Sequence, residues 1–178
     1  MIRTLTSPRN PALKEVRALQ AKKVRRERRL FVAEGEDLLD AARAAGVTPK
    51  AVFGDADRLG PADHRLADLP EATAVYLVPG DILAAASTLA APPRVLAVLP
   101  QPGPWGFADV DFPPDPAAFL AGVGDPGNVG TLVRSAAALG VGWLALAPGS
   151  ADPYHPRAVR AAMGSTFSLP VLSGVRVE

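Results

Sequence analysis

The chain has 178 residues, is 48% hydrophobic and carries a formal net charge of +1, which is enough apolar material for one ordinary domain or two small ones. Every apolar stretch is interrupted by charge or proline before it could span a bilayer, and Met1–Pro8 lacks the apolar core of a secretory leader, so the sequence indicates no membrane segment and a cytoplasmic location. Zero cysteines and only two histidines, His64 and His155, argue against a disulfide framework, thiolate chemistry and a histidine-built metal site.

The near-zero net charge conceals a segregation. Among the first thirty residues ten are basic and two acidic, a local charge of +8, which leaves the remainder at −7. Lys22, Lys23, Arg25, Arg26, Arg28 and Arg29 are the densest part of that basic segment. Such a run suits a polyanion contact, because each phosphate neutralised releases condensed counterions. A solvated helix face explains an isolated charge run as well.

In chain order, Asn10-Pro11 reads as a helix N-cap followed by proline at the first helical position. The spacing of Leu13, Val16 and Leu19 predicts a helix from Pro11 to about Lys23. Leu30–Ala33 is a short buried strand, and Glu36–Ala45 a helix closed by Gly46. Extended segments at Lys50–Phe53, Ala74–Val78 and Arg94–Leu99 and a helix at Gly80–Ala90 complete a small α/β domain over residues 1–99. Gly54–Pro70 is mostly loop, and His64 within it is a surface residue. Prolines and glycines then crowd residues 100–116, which indicates an extended linker. Trp105 and Phe107 are candidates to hold that linker onto one of the two domains.

The second unit, residues 117–178, begins with a strand at Ala117–Val123. A glycine-rich turn follows, with Asn128 capping a helix that runs to Leu139 and closes at Gly140. Val141–Ala147 is a second strand, His155 or Pro156 starts a helix ending at Met163-Gly164, and Thr166–Leu172 is a third strand. This alternation with nearly all-apolar strands implies a parallel sheet covered on both faces. The turn Gly122-Val123-Gly124-Asp125-Pro126-Gly127 matches the dinucleotide fingerprint as a bare pattern, which would indicate a nicotinamide enzyme. Pro126 intrudes where that turn needs backbone donors, and Pro148-Gly149-Ser150 stands where an acid should meet the ribose, so the match is a decoy.

Asp125–Gly140 resembles the first motif of the SpoU, or TrmH-like, RNA ribose methyltransferases. Asp152–Pro170 resembles the second, and Ser7–Gly35 is similar to the family's appended substrate-binding domain. The resemblance implies a small N-terminal α/β substrate-binding domain joined to an incomplete parallel-sheet, knot-type SPOUT domain. It also implies transfer of a methyl group from S-adenosylmethionine to a ribose 2′-hydroxyl in ribosomal or transfer RNA, and a homodimer for the full-length protein.

Carried onto this chain, Asn128 and Arg134 match the active-site asparagine and arginine. Helix capping alone would also account for Asn128. Arg134, flanked by Leu132, Val133, Ala136 and Ala137, needs a partner, and an ordinary salt bridge is the plain alternative to phosphate binding. Arg157 and Arg160 could extend the RNA grip begun by Lys22, Lys23, Arg25, Arg26, Arg28 and Arg29, though a solvated face explains them too. His155 stands where the second motif usually has asparagine. The family's third motif is expected beyond Glu178, and with it the main cofactor pocket, so the sequence reads as a truncated or inactive form. The alternative is an RNA-binding module without catalysis.

Overall fold

The computed structural model describes residues 2–103 and 116–176, and the chain divides into two units, Met1–Pro100 and Gln101–Glu178. Most of the proline-rich linker, including Trp105 and Phe107, lies outside the described residues.

The first unit is a five-stranded mixed sheet in the order β1-β4-β3-β5-β2. Its strands are β1 (Ile2–Thr4), β2 (Leu30–Glu34), β3 (Ala51–Asp55), β4 (Ala74–Val78) and β5 (Val95–Pro100). β1, β4 and β3 run parallel, whereas β5 lies antiparallel to both β3 and β2. Alternation along the strands turns Val32, Phe53, Leu96 and Val98 to one side, where Leu13, Val16 and Leu19 cover them. Phe53 also stacks on Tyr76 of β4, with ring centroids 5.1 Å apart. β1 is short, carries one apolar residue and left no periodic signal in the sequence.

Where a single helix is expected from Pro11 to about Lys23, there are two, α1 (Pro11–Ala18) and α2 (Lys22–Arg28). The chain turns through Leu19-Gln20-Ala21, and Ala21 is extended at φ −83, ψ 126. No glycine or proline marks this break. A third helix, α3 (Glu36–Ala44), packs on β2 and β5 from the other side of the sheet, where a short α4 (His64–Ala67) brings Leu66 against Gly54. The helix predicted over Gly80–Ala90 is only one turn, α5 (Gly80–Ala84).

The second unit is a parallel sheet in the order β6-β7-β8, formed by β6 (Ala117–Leu120), β7 (Trp143–Leu146) and β8 (Val171–Ser173). Two helices, α6 (Pro126–Ala138) and α7 (Pro156–Ala162), cross it. Val129 and Val133 of α6 and Ala162 of α7 bury against Leu144, Leu146 and Val171. Phe119 on the opposite face of β6 is 44% exposed, so among the described residues the sheet is not covered throughout. The third strand is shorter than predicted, because a 3-10 turn, Ser165–Phe167, occupies its expected start.

α6 and α7 approach so closely that a Cβ built on Gly130 would lie 2.1 Å from the Ala158 carbonyl oxygen and 2.8 Å from the Ala161 Cβ. Neither obstacle is the far end of a flexible side chain, so a larger residue must push the helices apart. Gly130→Ala is expected to cost at least about 2 kcal/mol, seen as a lower urea midpoint or as failure to fold.

Candidate active site and nucleic-acid interface

The glycine-rich turn ends in a helix whose N-cap is Asp125, not Asn128. The Asp125 carboxylate accepts from the Asn128 backbone N–H at 2.9 Å, with Pro126 at the first helical position. A carboxylate therefore already fills the α6 N-terminus, the place a dinucleotide would need for its pyrophosphate, and the nicotinamide reading fails for that reason. Asp-Pro at the start of a helix carried this information in the sequence.

Relieved of capping, the Asn128 side chain is exposed on the first turn of α6, and its amide makes no hydrogen bond among the described residues. Arg134 is exposed as well. Its apolar neighbours Val133 and Ala136 face the core, and Arg134 forms no ion pair among the described residues, so the plain salt-bridge account does not apply. Asn128, Thr131 and Arg134 recur three residues apart and step around the exposed arc of the helix, spanning roughly 9 Å along its axis. Thr131, which the sequence reading passed over, donates its hydroxyl to the Gly127 carbonyl at 3.0 Å.

The helix crossing brings the second motif to the same turn. Arg157 extends from α7 to Asp125, with Nη2 3.4 Å from Oδ2. It remains two-thirds exposed and so keeps donors for another anion. His155 is the N-cap of α7, its Nδ1 accepting from the Arg157 N–H at 3.2 Å. Histidine thus takes over the capping task of the usual asparagine. Arg160 is exposed further along α7. Asp152, the first acid after the Pro148-Gly149-Ser150 turn, accepts from the Tyr154 N–H at 3.0 Å.

In the first unit the basic run divides. Arg25, expected among the phosphate contacts, is 1% exposed and donates to the carbonyls of Leu19 and Gln20 at 2.8 and 2.7 Å. These carbonyls close the end of α1, so Arg25 ties α2 to α1 and is turned away from any external anion. Arg28 points back at Glu15, 3.0 Å away, which also holds the Lys50 ammonium at 2.9 Å. Lys22, Lys23, Arg26 and Arg29 are exposed. No group of three or more His, Cys, Asp or Glu side chains among the described residues is arranged to hold a metal ion, and no helix there is long and apolar enough to cross a membrane.

Residues 10–97 match the MRM3-like substrate binding domain, and residues 116–176 match the SpoU rRNA Methylase family. The chain belongs to the SpoU family. It is 27% identical over 96% of its length to the 23S rRNA (guanosine(2553)-2′-O)-methyltransferase RlmP of Bacillus subtilis, of which it covers 65%. It is 34% identical over 95% of its length to an uncharacterized tRNA/rRNA methyltransferase of Synechocystis, covering 61% of that protein. The fold superposes on an AdoMet-bound rRNA methyltransferase from Sinorhizobium meliloti with a TM-score of 0.84 and 30% identity, over 97% of this chain and 65% of that one. The SpoU methyltransferase AviRb from Streptomyces viridochromogenes, also in complex with AdoMet, gives 0.83 at 28% identity, over 94% of this chain and 64% of that one. The chain thus spans a little under two thirds of the length of these relatives.

Burial raises the affinity of the Glu15 carboxyl for its proton, but the hydrogen bonds and charges of Lys50 and Arg28 outweigh it and leave the group below the ordinary 4.5. A depressed carboxyl contributes stability above its unfolded value and loses it as pH falls through the folded value. Wild type should therefore exceed Glu15→Gln by up to about 1 kcal/mol at neutral pH, with the difference vanishing in urea titrations well below pH 4.5. Arg25→Ala, which leaves two carbonyls without their donor and opens a cavity, should cost about 2–4 kcal/mol in the same titration at neutral pH.

Proposed function

We propose that the chain acts in 2′-O-ribose methylation of ribosomal or transfer RNA in the cytoplasm, with S-adenosylmethionine as the methyl donor. The observation that carries this reading is the pair Asn128 and Arg134, both exposed on α6 and neither engaged by the fold. Its support from outside the chain is the rRNA methylation named for RlmP and the AdoMet bound in two structural neighbours.

Among the described residues no set of side chains fits the adenosyl group. Asp125 fills the α6 N-terminus, and beyond β7 and β8 the chain continues as Pro148-Gly149 and Gly174, with no carboxylate for a ribose. S-adenosylmethionine supplies an activated methyl group and its own leaving group. What falls to this chain is the RNA side: to hold the ribose hydroxyl in line and to let its proton depart. Asn128 offers a carbonyl acceptor for that hydroxyl and amide donors to fix the sugar. Arg134, with a pKa above about 12, is a poor base and a good bidentate clamp for the neighbouring phosphate. Arg157 and Arg160 extend the clamp, and the exposed basic residues of α2 hold RNA from the first unit.

The reading includes a homodimer. Leu132 and Leu139, one heptad apart on α6, are 37% and 81% exposed, an apolar strip that a second copy would cover.

Deleting the gene should leave one ribose of cellular RNA sensitive to alkaline cleavage where a 2′-O-methyl group otherwise protects it. Wild-type gene should restore protection, and Asn128→Ala and Arg134→Ala should each reduce it by roughly a hundredfold in rate, with Arg134→Lys failing to substitute for the planar fork. RNA binding with no methylated ribose lost on deletion would instead establish an RNA-binding module without catalysis.

A further inference from the structure

α2 and its cap sort the basic run by geometry, and this inference rests on the RNA reading above. With Arg25 buried and Arg28 engaged by Glu15, the exposed charges are Lys22, Lys23, Arg26 and Arg29. Lys22, Arg26 and Arg29 recur at i, i+4 and i+7, the spacing that puts side chains on one stripe of a helix. Lys23 lies to the side of that stripe, 3.9 Å from Glu27.

Arg29 is not simply the next helical residue. It is the C-cap of α2 in the left-handed conformation, φ 54 and ψ 37, with its N–H bonded to the Arg25 carbonyl. Helices that end this way usually place glycine at that position, because a Cβ there is strained against the backbone. Arg29 and Met163 are the non-glycine residues with positive φ among those described. Arg29 is exposed, so core packing does not account for a long cationic side chain where glycine would sit with less strain. A residue retained against its backbone preference points to a task for its side chain.

We propose that the Lys22–Arg26–Arg29 stripe is the RNA-backbone contact of the first unit, and that Arg29 is held there at the expense of stability. The left-handed turn carries the Arg29 side chain off the end of the helix, so a two-turn helix reaches one phosphate further than its length allows. The contact recognises the sugar–phosphate backbone and does not read bases.

The two properties of Arg29 should move in opposite directions. With the full chain and a fluorescein-labelled RNA hairpin of mixed sequence, Arg29→Gly is expected to weaken binding roughly fivefold at 0.1 M salt and to flatten the plot of log affinity against log salt by about 0.7–0.9. The same variant should raise the melting temperature by about 2–4 °C. Arg29→Asn, which tolerates the left-handed conformation without the charge, should lose affinity with no fall in melting temperature. Arg26→Ala should lose affinity with no gain in stability, and Arg43→Ala, the same charge removed from α3 on the other side of the sheet, should stay within twofold of wild type.

Arg29→Gly with wild-type affinity and salt slope, while Lys22→Ala and Arg26→Ala both weaken binding, would overturn the assignment of Arg29 and leave the RNA reading intact. A melting temperature lowered by both Arg29→Gly and Arg29→Asn would also overturn it, by showing that the side chain serves the fold. Wild-type chain with no salt-dependent RNA binding would overturn the RNA reading itself.

Discussion

The second unit depends on one contact, the approach of the Gly130 backbone to the Ala158 carbonyl. Because no side chain stands between α6 and α7 there, the two helices that carry the two motifs lie at backbone contact, flanked by small residues such as Ala161 and Ala162. That proximity lets a long side chain from one helix reach the first turn of the other. Arg157 arrives at Asp125, and through Asp125 at the turn that presents Asn128. An interaction that is purely steric thus sets the geometry of groups whose work is electrostatic.

The division of labour within the glycine-rich turn follows from the same economy. One residue, Asp125, satisfies the helix end and meets Arg157, and this frees Asn128 from any structural duty. Polar side chains that a fold does not use are uncommon in a well-packed helix, and here Asn128 and Arg134 are two of them on a helix whose other face is fully buried. This is the pattern of a helix shared between a core and a substrate.

In the first unit a similar sorting occurs among residues of one chemical type. Six basic side chains stand within eight positions, and their fates differ because the chain turns sharply between α1 and α2. The turn leaves the last carbonyls of α1 without helical partners, and only a long forked donor can reach both, so Arg25 is drawn inside. Arg28 lies toward the Glu15 side of the same helix and is neutralised there. The residues that remain outside are those whose angular position on α2 offers nothing in the protein to bind.

Local chemistry made much of this legible in the amino acids alone. The apolar runs of β2 to β5, the Asn10-Pro11 and Pro156 helix starts, the parallel strand order of the second unit and the two motif segments all rest on residues adjacent in sequence, so reading them required no knowledge of the fold. The break after Ala18, the burial of Arg25, the exposure of Phe119 and the transfer of the cap from Asn128 to Asp125 were decided by tertiary structure. Each turns on a partner the residue meets only once the chain is folded: Arg25 finds two carbonyls across a turn, Phe119 lies where nothing described covers it, and Gly130 matters because Ala158 lies against it. Spacing along a chain identifies which residues could share a face, whereas burial and pairing depend on what comes to lie opposite, and that is why the family was readable in the sequence and the roles of its arginines were not.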